Sequence, residues 1–166
     1  MLFTLSCAIY PVTSSAQETL ETNKAQSPEA LIALAIESLR QACDSHGKGQ
    51  ACALLSQAYY DGLGIQKNLP NSLQYSSKGC DKVEEPSGVS CYLAAQDYES
   101  EIFLELDYEK ANSLYEKGCE LNNSDACYEL ANNYYYGYGV EESTRKATKY
   151  YQKACDLGDK AACDEF

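Results

Sequence analysis

Cys127, Leu130, Ala131 and Tyr134 recur at steps of three and four, with polar side chains between them. That spacing predicts an amphipathic helix with one stripe turned to a core. Ser124 and Asp125 are capping residue types at its start, and Gly137 closes it in a Gly-Tyr-Gly turn. A second helical pattern opens at Ser143. It carries Lys146-Ala147, Tyr150-Tyr151 and Ala154 and stops at Gly158.

The same two patterns stand earlier in the chain. The stripe Cys52, Leu55, Ser56 and Tyr59 repeats the one at Cys127, and the tyrosine recurs as Tyr59, Tyr98 and Tyr134. Three units align: Ala51–Cys80, Ser90–Cys119 and Ala126–Cys155, each ending in Lys-Gly-Cys or Lys-Ala-Cys. Leaving Cys7 aside, the cysteines fall into the pairs Cys43/Cys52, Cys80/Cys91, Cys119/Cys127 and Cys155/Cys163. The first members of these pairs stand 37, 39 and 36 residues apart. A period in the thirties, with two helices per unit, marks a solenoid of stacked helix pairs.

At these residues the chain resembles the Sel-like repeat (SLR) family, relatives of the tetratricopeptide repeats. Within that family it is similar to the cysteine-rich secreted branch called Hcp proteins. The shared pattern is A-C-x-x-L-[AG]-x-x-Y-x-x-G-x-G-V followed by K-A-x-x-Y-Y-x-K-A-C-D-L-G, over roughly Pro28 to Phe166. The middle unit departs from it, with Glu101 and Phe103 where the two turn glycines stand elsewhere. The resemblance implies an all-α, right-handed α/α solenoid of disulfide-stapled helix pairs. Residues 28–166 form this repeat domain, with partial units at both ends. The first cysteine of each pair closes one second helix and the second opens the next first helix. A disulfide within each pair, as the periodicity implies, staples one unit to the next. Closing so short a loop restrains the unfolded chain by roughly 2–3 kcal/mol.

Residues 1–16, "MLFTLSCAIYPVTSSA", carry no charge and include the apolar run Leu2–Tyr10. Ser14-Ser15-Ala16 offers a small-x-small cleavage site, so 1–16 reads as a signal peptide and 17–27 as a flexible segment. A lipoprotein reading with Cys7 acylated would want an aliphatic residue where Thr4 stands. Cleavage after Ala16 removes Cys7 and leaves eight cysteines, an even number that favours four disulfides in an oxidising compartment, secreted or periplasmic. Zinc ligation would call for C-x-x-C or Cys/His clusters; there is no C-x-x-C, and His46 is the single histidine. No metal or cofactor motif is legible. The formal charge of −12 argues against nucleic acid as a partner, and the apolar run at the start is too short to span a bilayer.

Beside the core stripe of each first helix runs a second stripe. It reads Ala53/Gln57/Tyr60, then Tyr92/Gln96/Glu99, then Tyr128/Asn132/Tyr135. The resemblance puts the first helices on the concave face. An amide-and-tyrosine ladder there could hold a protein or peptide ligand, a peptidoglycan fragment or a β-lactam. The same residues could instead pack against the neighbouring first helix. In "NNYYYGYG", Tyr136 and Tyr138 replace Asp61 and Leu63, so they either form an exposed aromatic patch or plug the last turn.

The SLR family is often labelled as β-lactamase, and Ser143-Thr144-Arg145-Lys146 matches the S-x-x-K nucleophile motif. Ser143 nevertheless aligns with Asn68 and Asp107, both helix-capping types, and the companion S-D-N and K-T-G motifs are missing. The reading that follows is a helical-repeat binding module with no assigned catalytic residue. The alternative is a weak β-lactam hydrolase.

Overall fold

The computed structural model describes residues 27–81, 83–100 and 106–165. The proposed signal peptide, Cys7, and the positions of Glu101 and Phe103 lie outside the described residues. Among the described residues eight helices follow one another: α1 (Pro28–Asp44), α2 (Gly49–Asp61), α3 (Leu69–Asp81), α4 (Gly88–Tyr98), α5 (Tyr108–Glu120), α6 (Ser124–Tyr136), α7 (Thr144–Asp156) and the single turn α8 (Lys160–Cys163). Among the described residues there is no strand, only an isolated bridge between Lys48 and Glu85. None of their helices is long and apolar enough to cross a membrane.

Helix starts follow from short polar residues that satisfy otherwise orphaned amides. Asn68 Oδ1 accepts from the Asn71 amide at 3.0 Å and Asp107 Oδ1 from Lys110 at 2.9 Å. Ser143 Oγ accepts from the Lys146 amide at 3.4 Å. The cap of α6 is Asn123, one position before the expected Ser124; its Oδ1 accepts from the Ala126 amide at 2.7 Å. Helices α2 and α6 end in left-handed Gly62 and Gly137. The second turn glycine has a different cause. A Cβ on Gly139, at φ 64°, would fall 2.5 Å from Tyr108 Cβ, because the loop rests directly on the preceding second helix.

The helices pair as α2/α3, α4/α5 and α6/α7, each pair packing on the next, and α2 also touches α4 as α4 touches α6. The core runs through these contacts. Leu55, Leu130, Tyr115 and the alanines at 94, 95, 111, 126 and 131 are buried. Tyr59 stacks on Tyr75 and Tyr134 on Tyr150, both at 5.6 Å, so the recurrent tyrosine meets a second-helix tyrosine in the first and last units.

All four disulfides join the cysteines paired by the periodicity: Cys43–Cys52, Cys80–Cys91, Cys119–Cys127 and Cys155–Cys163. Their Cα atoms lie between 4.6 and 4.9 Å apart. The chain is therefore an all-α solenoid whose units are bolted together covalently at each turn. Close packing at these junctions explains the Lys-Gly-Cys endings. A Cβ on Gly79 would lie 2.7 Å from Cys52 Cβ, inside the neighbouring first helix.

Candidate functional site

The first helices α2, α4 and α6 lie side by side and leave two clefts between them. The first, of about 330 Å³, is lined by Gln57 and Tyr60 of α2, Leu93 and Gln96 of α4, and the following Glu99 and Ser100. The second, of about 400 Å³, lies towards α6. Its walls carry the carboxylates Glu99 and Glu129, the amides Asn132 and Asn133, and the tyrosines Tyr108, Tyr128, Tyr136 and Tyr138. Glu99 belongs to both.

The expected ladder is divided between the clefts. Gln57, Tyr60 and Gln96 come together in the first, and Tyr128 and Asn132 in the second. Tyr92 is half-buried against Tyr115, ring centres 6.0 Å apart, and Tyr128 sits the same way on Tyr151 at 5.5 Å. Ala53 is buried and belongs to the core rather than to the ladder.

Two of the ladder amides are tied within their own helix. Gln57 Nε2 donates to Asp61 Oδ2 and Gln96 Nε2 to Tyr92 Oη, each at 2.8 Å. Asn132 is held more firmly. It accepts from the Tyr151 hydroxyl at 2.6 Å and donates to Glu129 Oε2 at 3.1 Å. This residue fastens α6 to α7 as well as facing the cleft, which its place beside the core stripe does not announce.

The surplus tyrosines form an exposed patch. Tyr135, Tyr136 and Tyr138 are 48%, 59% and 47% exposed. Tyr136 meets Tyr135 edge-on at 5.0 Å and stacks on Tyr138 at 5.6 Å, and Tyr138 stacks on Tyr108 at 5.3 Å. The turn that carries them is pinned from below, because Asn112 Nδ2 donates to the Tyr138 carbonyl at 2.7 Å.

Behind the second cleft lies a polar network absent from the sequence reading. Asn133 Nδ2 donates to Glu99 Oε1 at 2.5 Å and to Asn112 Oδ1 at 2.8 Å, and the Tyr115 hydroxyl donates to Glu99 Oε2 at 2.8 Å. Asn112 and Asn133 are buried. The signal available was the register: Asn133 occupies the position of Ala58 and Asp97, both of which are also buried.

The cleft is electrically one-sided. Burial pushes the Glu129 carboxyl above the usual carboxylate range; Asn132 offsets part of this, while Glu99, Asp125 and Asp159 add to it. Burial, then Glu129, Asp125 and Glu99, push Tyr92 up to about 12. Among the described residues the ion pairs are Arg40–Glu37, Lys48–Glu85, Lys78–Asp44 and Lys117–Asp81. None of them neutralises Glu99 or Glu129.

The S-x-x-K serine stands elsewhere. Its Oγ caps α7, and the Lys146 ammonium lies 4.7 Å from the centre of the Tyr134 ring, a cation–π contact. Among the described residues no group of three or more His, Cys, Asp and Glu is placed to hold a metal ion.

Comparison with known proteins matches this architecture. The Sel1 repeat model matches residues 49–82, 89–123 and 124–159. Among solved structures, a Sel1 repeat protein from Oxalobacter formigenes is 18% identical with TM-score 0.62, over 89% of this chain and 54% of that one. A protective antigen of uropathogenic Escherichia coli displaying an SLR fold is 23% identical with TM-score 0.70, over 88% and 31% respectively. Cysteine-rich protein B of Helicobacter pylori is 27% identical with TM-score 0.62, over 86% of this chain and 99% of that one. The chain thus spans about half of the first of these proteins and about a third of the second. No curated protein matches it in sequence.

Proposed function

Given that this chain belongs to the Sel1-repeat family, we propose that it is a secreted or periplasmic binding module. It takes an extended peptide segment of a partner protein across the face formed by α2, α4 and α6. The observation that carries this reading is the pair of adjacent clefts sharing Glu99, flanked by the exposed tyrosines 135, 136 and 138. Aromatic side chains on a rigid scaffold offer large contact area at little entropic cost, and amides read peptide groups. The helix pairs, stapled by four disulfides, keep the clefts in register without help from a ligand. The disulfides also suit an oxidising compartment outside the cytoplasm. A peptidoglycan fragment remains the smaller alternative ligand. β-Lactam hydrolysis draws no support from Ser143, whose oxygen is engaged as a helix cap.

The test is selection from a displayed random-peptide library on the oxidised protein. Peptides should be recovered, and a Tyr136→Ala/Tyr138→Ala variant should bind them at least tenfold more weakly at unchanged melting temperature. An exposed change on the opposite helix layer, Lys149→Ala, should leave binding alone. Failure to recover peptides, or equal loss on both variants, overturns the reading.

A further inference from the structure

Among the described residues no ion pair supplies a counterion to the carboxylates of the second cleft. Glu129 stands where the first two units carry Leu54 and Leu93. A position that is apolar twice becomes acidic once, beside a second carboxylate, and burial disfavours its charge. The acids alone would say little. The rings around them say more. Tyr108, Tyr128, Tyr136 and Tyr138 line the same 400 Å³ cleft, and three of them stack in a row from Tyr108 through Tyr138 to Tyr136. Tyrosine faces attract cations, and the attraction grows as water is excluded. A hydrophobic ligand would gain from the rings but would strand the carboxylates. A metal ion would gain from the carboxylates but not from the rings, and both Glu99 oxygens are already accepting from Tyr115 and Asn133. A long side chain with an apolar stem and a cationic head satisfies both.

We infer that the cleft between α4 and α6 is a subsite for one lysine or arginine side chain of the bound peptide, its head between Glu99 and Glu129 and its stem against the tyrosine rings. This rests on the peptide-binding reading of the α2–α4–α6 face. The site is built in advance. Asn133 and Tyr115 orient the Glu99 carboxylate, Asn132 orients that of Glu129, and Asn112 pins the Tyr138 turn. The first cleft shares Glu99 but has Leu93 where the second has Glu129, with Gln57 and Gln96 beside it, and accepts a neutral residue. The overall charge of −12 favours approach of the same basic segment.

The experiment runs the displayed library against the wild-type protein and Glu129→Gln in parallel, with circular dichroism and thermal melts to establish that both are folded. Wild-type selection should enrich Lys or Arg at one peptide position. One enriched peptide, synthesised with norleucine at that position, should bind roughly tenfold or more weakly. Against Glu129→Gln the lysine and norleucine forms should bind within about twofold of each other. Peptides that bind the Tyr136→Ala/Tyr138→Ala variant at least tenfold more weakly but show no basic preference would overturn this inference and leave the peptide-binding reading standing. A library yielding no peptides would remove both. A concentration-dependent dimer of the wild type, lost in Glu129→Gln, would overturn the assignment in favour of basic residues from a second copy.

Discussion

The two clefts on the α2–α4–α6 face are built from the same repeat register, yet they differ in chemistry. Between α2 and α4 the lining is Leu93, Gln57, Gln96, Tyr60 and Ser100, with the shared Glu99 as its one carboxylate. Between α4 and α6 the equivalent leucine becomes Glu129 and four tyrosines surround it. Their foundations differ too. The buried first-helix position facing the preceding second helix is Asp97 in one unit and Asn133 in the next. Asn133 has two good acceptors in Glu99 and Asn112. Asp97, only 6% exposed, has the Ser76 hydroxyl at 3.4 Å, and that hydroxyl also lies 3.1 Å from the Leu73 carbonyl. A repeat protein can thus hold its backbone constant while each junction acquires its own polarity.

The largest effect expected comes from cutting the staple behind the acidic cleft. Cys119→Ala/Cys127→Ala removes a buried disulfide that ties α5 to α6. It should cost about 2–3 kcal/mol in urea unfolding, before any loss from packing. The terminal pair should matter less, because Cys163 is exposed and closes only the single turn α8. Equal losses from Cys119→Ala/Cys127→Ala and Cys155→Ala/Cys163→Ala would break the distinction between inner and outer junctions.

The Asp97/Asn133 contrast predicts opposite responses to one substitution and its reverse. Burial raises Asp97 to about 6, with Ser76 pulling slightly the other way. Its folded value lies above its unfolded one, so its contribution to stability is present at low pH and is lost as pH rises from about 4 through about 6. At pH 7 the buried charge opposes folding. Asp97→Asn should therefore stabilise by about 1–3 kcal/mol at pH 7 and flatten the stability profile between pH 4 and 6. Asn133→Asp should destabilise at pH 7, since it sets a carboxylate against Glu99. Melting curves at pH 4 and pH 7 check both; a pH-independent effect of Asp97→Asn would show that its charge is tolerated.

The smallest effect concerns the helix backing the acidic cleft. Ser143→Ala should cost about 0.5–2 kcal/mol through loss of the α7 cap. Ser143→Asp reproduces the cap that Asp107 supplies to α5 and should be neutral or mildly stabilising. Both variants should leave peptide affinity unchanged in a binding titration. Loss of turnover of a chromogenic β-lactam in a fully folded Ser143→Asp protein would restore the hydrolase.

The helix pairs, the caps at Asn68, Asp107 and Ser143, and the cysteine pairing were legible along the chain. All of them are local: a cap acts within four residues, and each disulfide closes a separation of 8 to 11. The core stripes were legible because helical spacing alone brings Cys127, Leu130, Ala131 and Tyr134 to one face. Linear reading did not reach the lateral contacts between units. Glu99 and Asn133 are 34 residues apart and meet only because α4 and α6 lie side by side. Asn132 looked like a free ladder rung until α7 brought the Tyr151 hydroxyl to it. Whether tyrosines 136 and 138 plugged a turn or stood exposed depended on where the Gly137–Gly139 turn rested, which is Tyr108 of the preceding unit. Sequence determined what each unit is, since period and capping are written within it. Only the tertiary structure decided what faces a ligand, because each cleft is made by two units and belongs to neither alone.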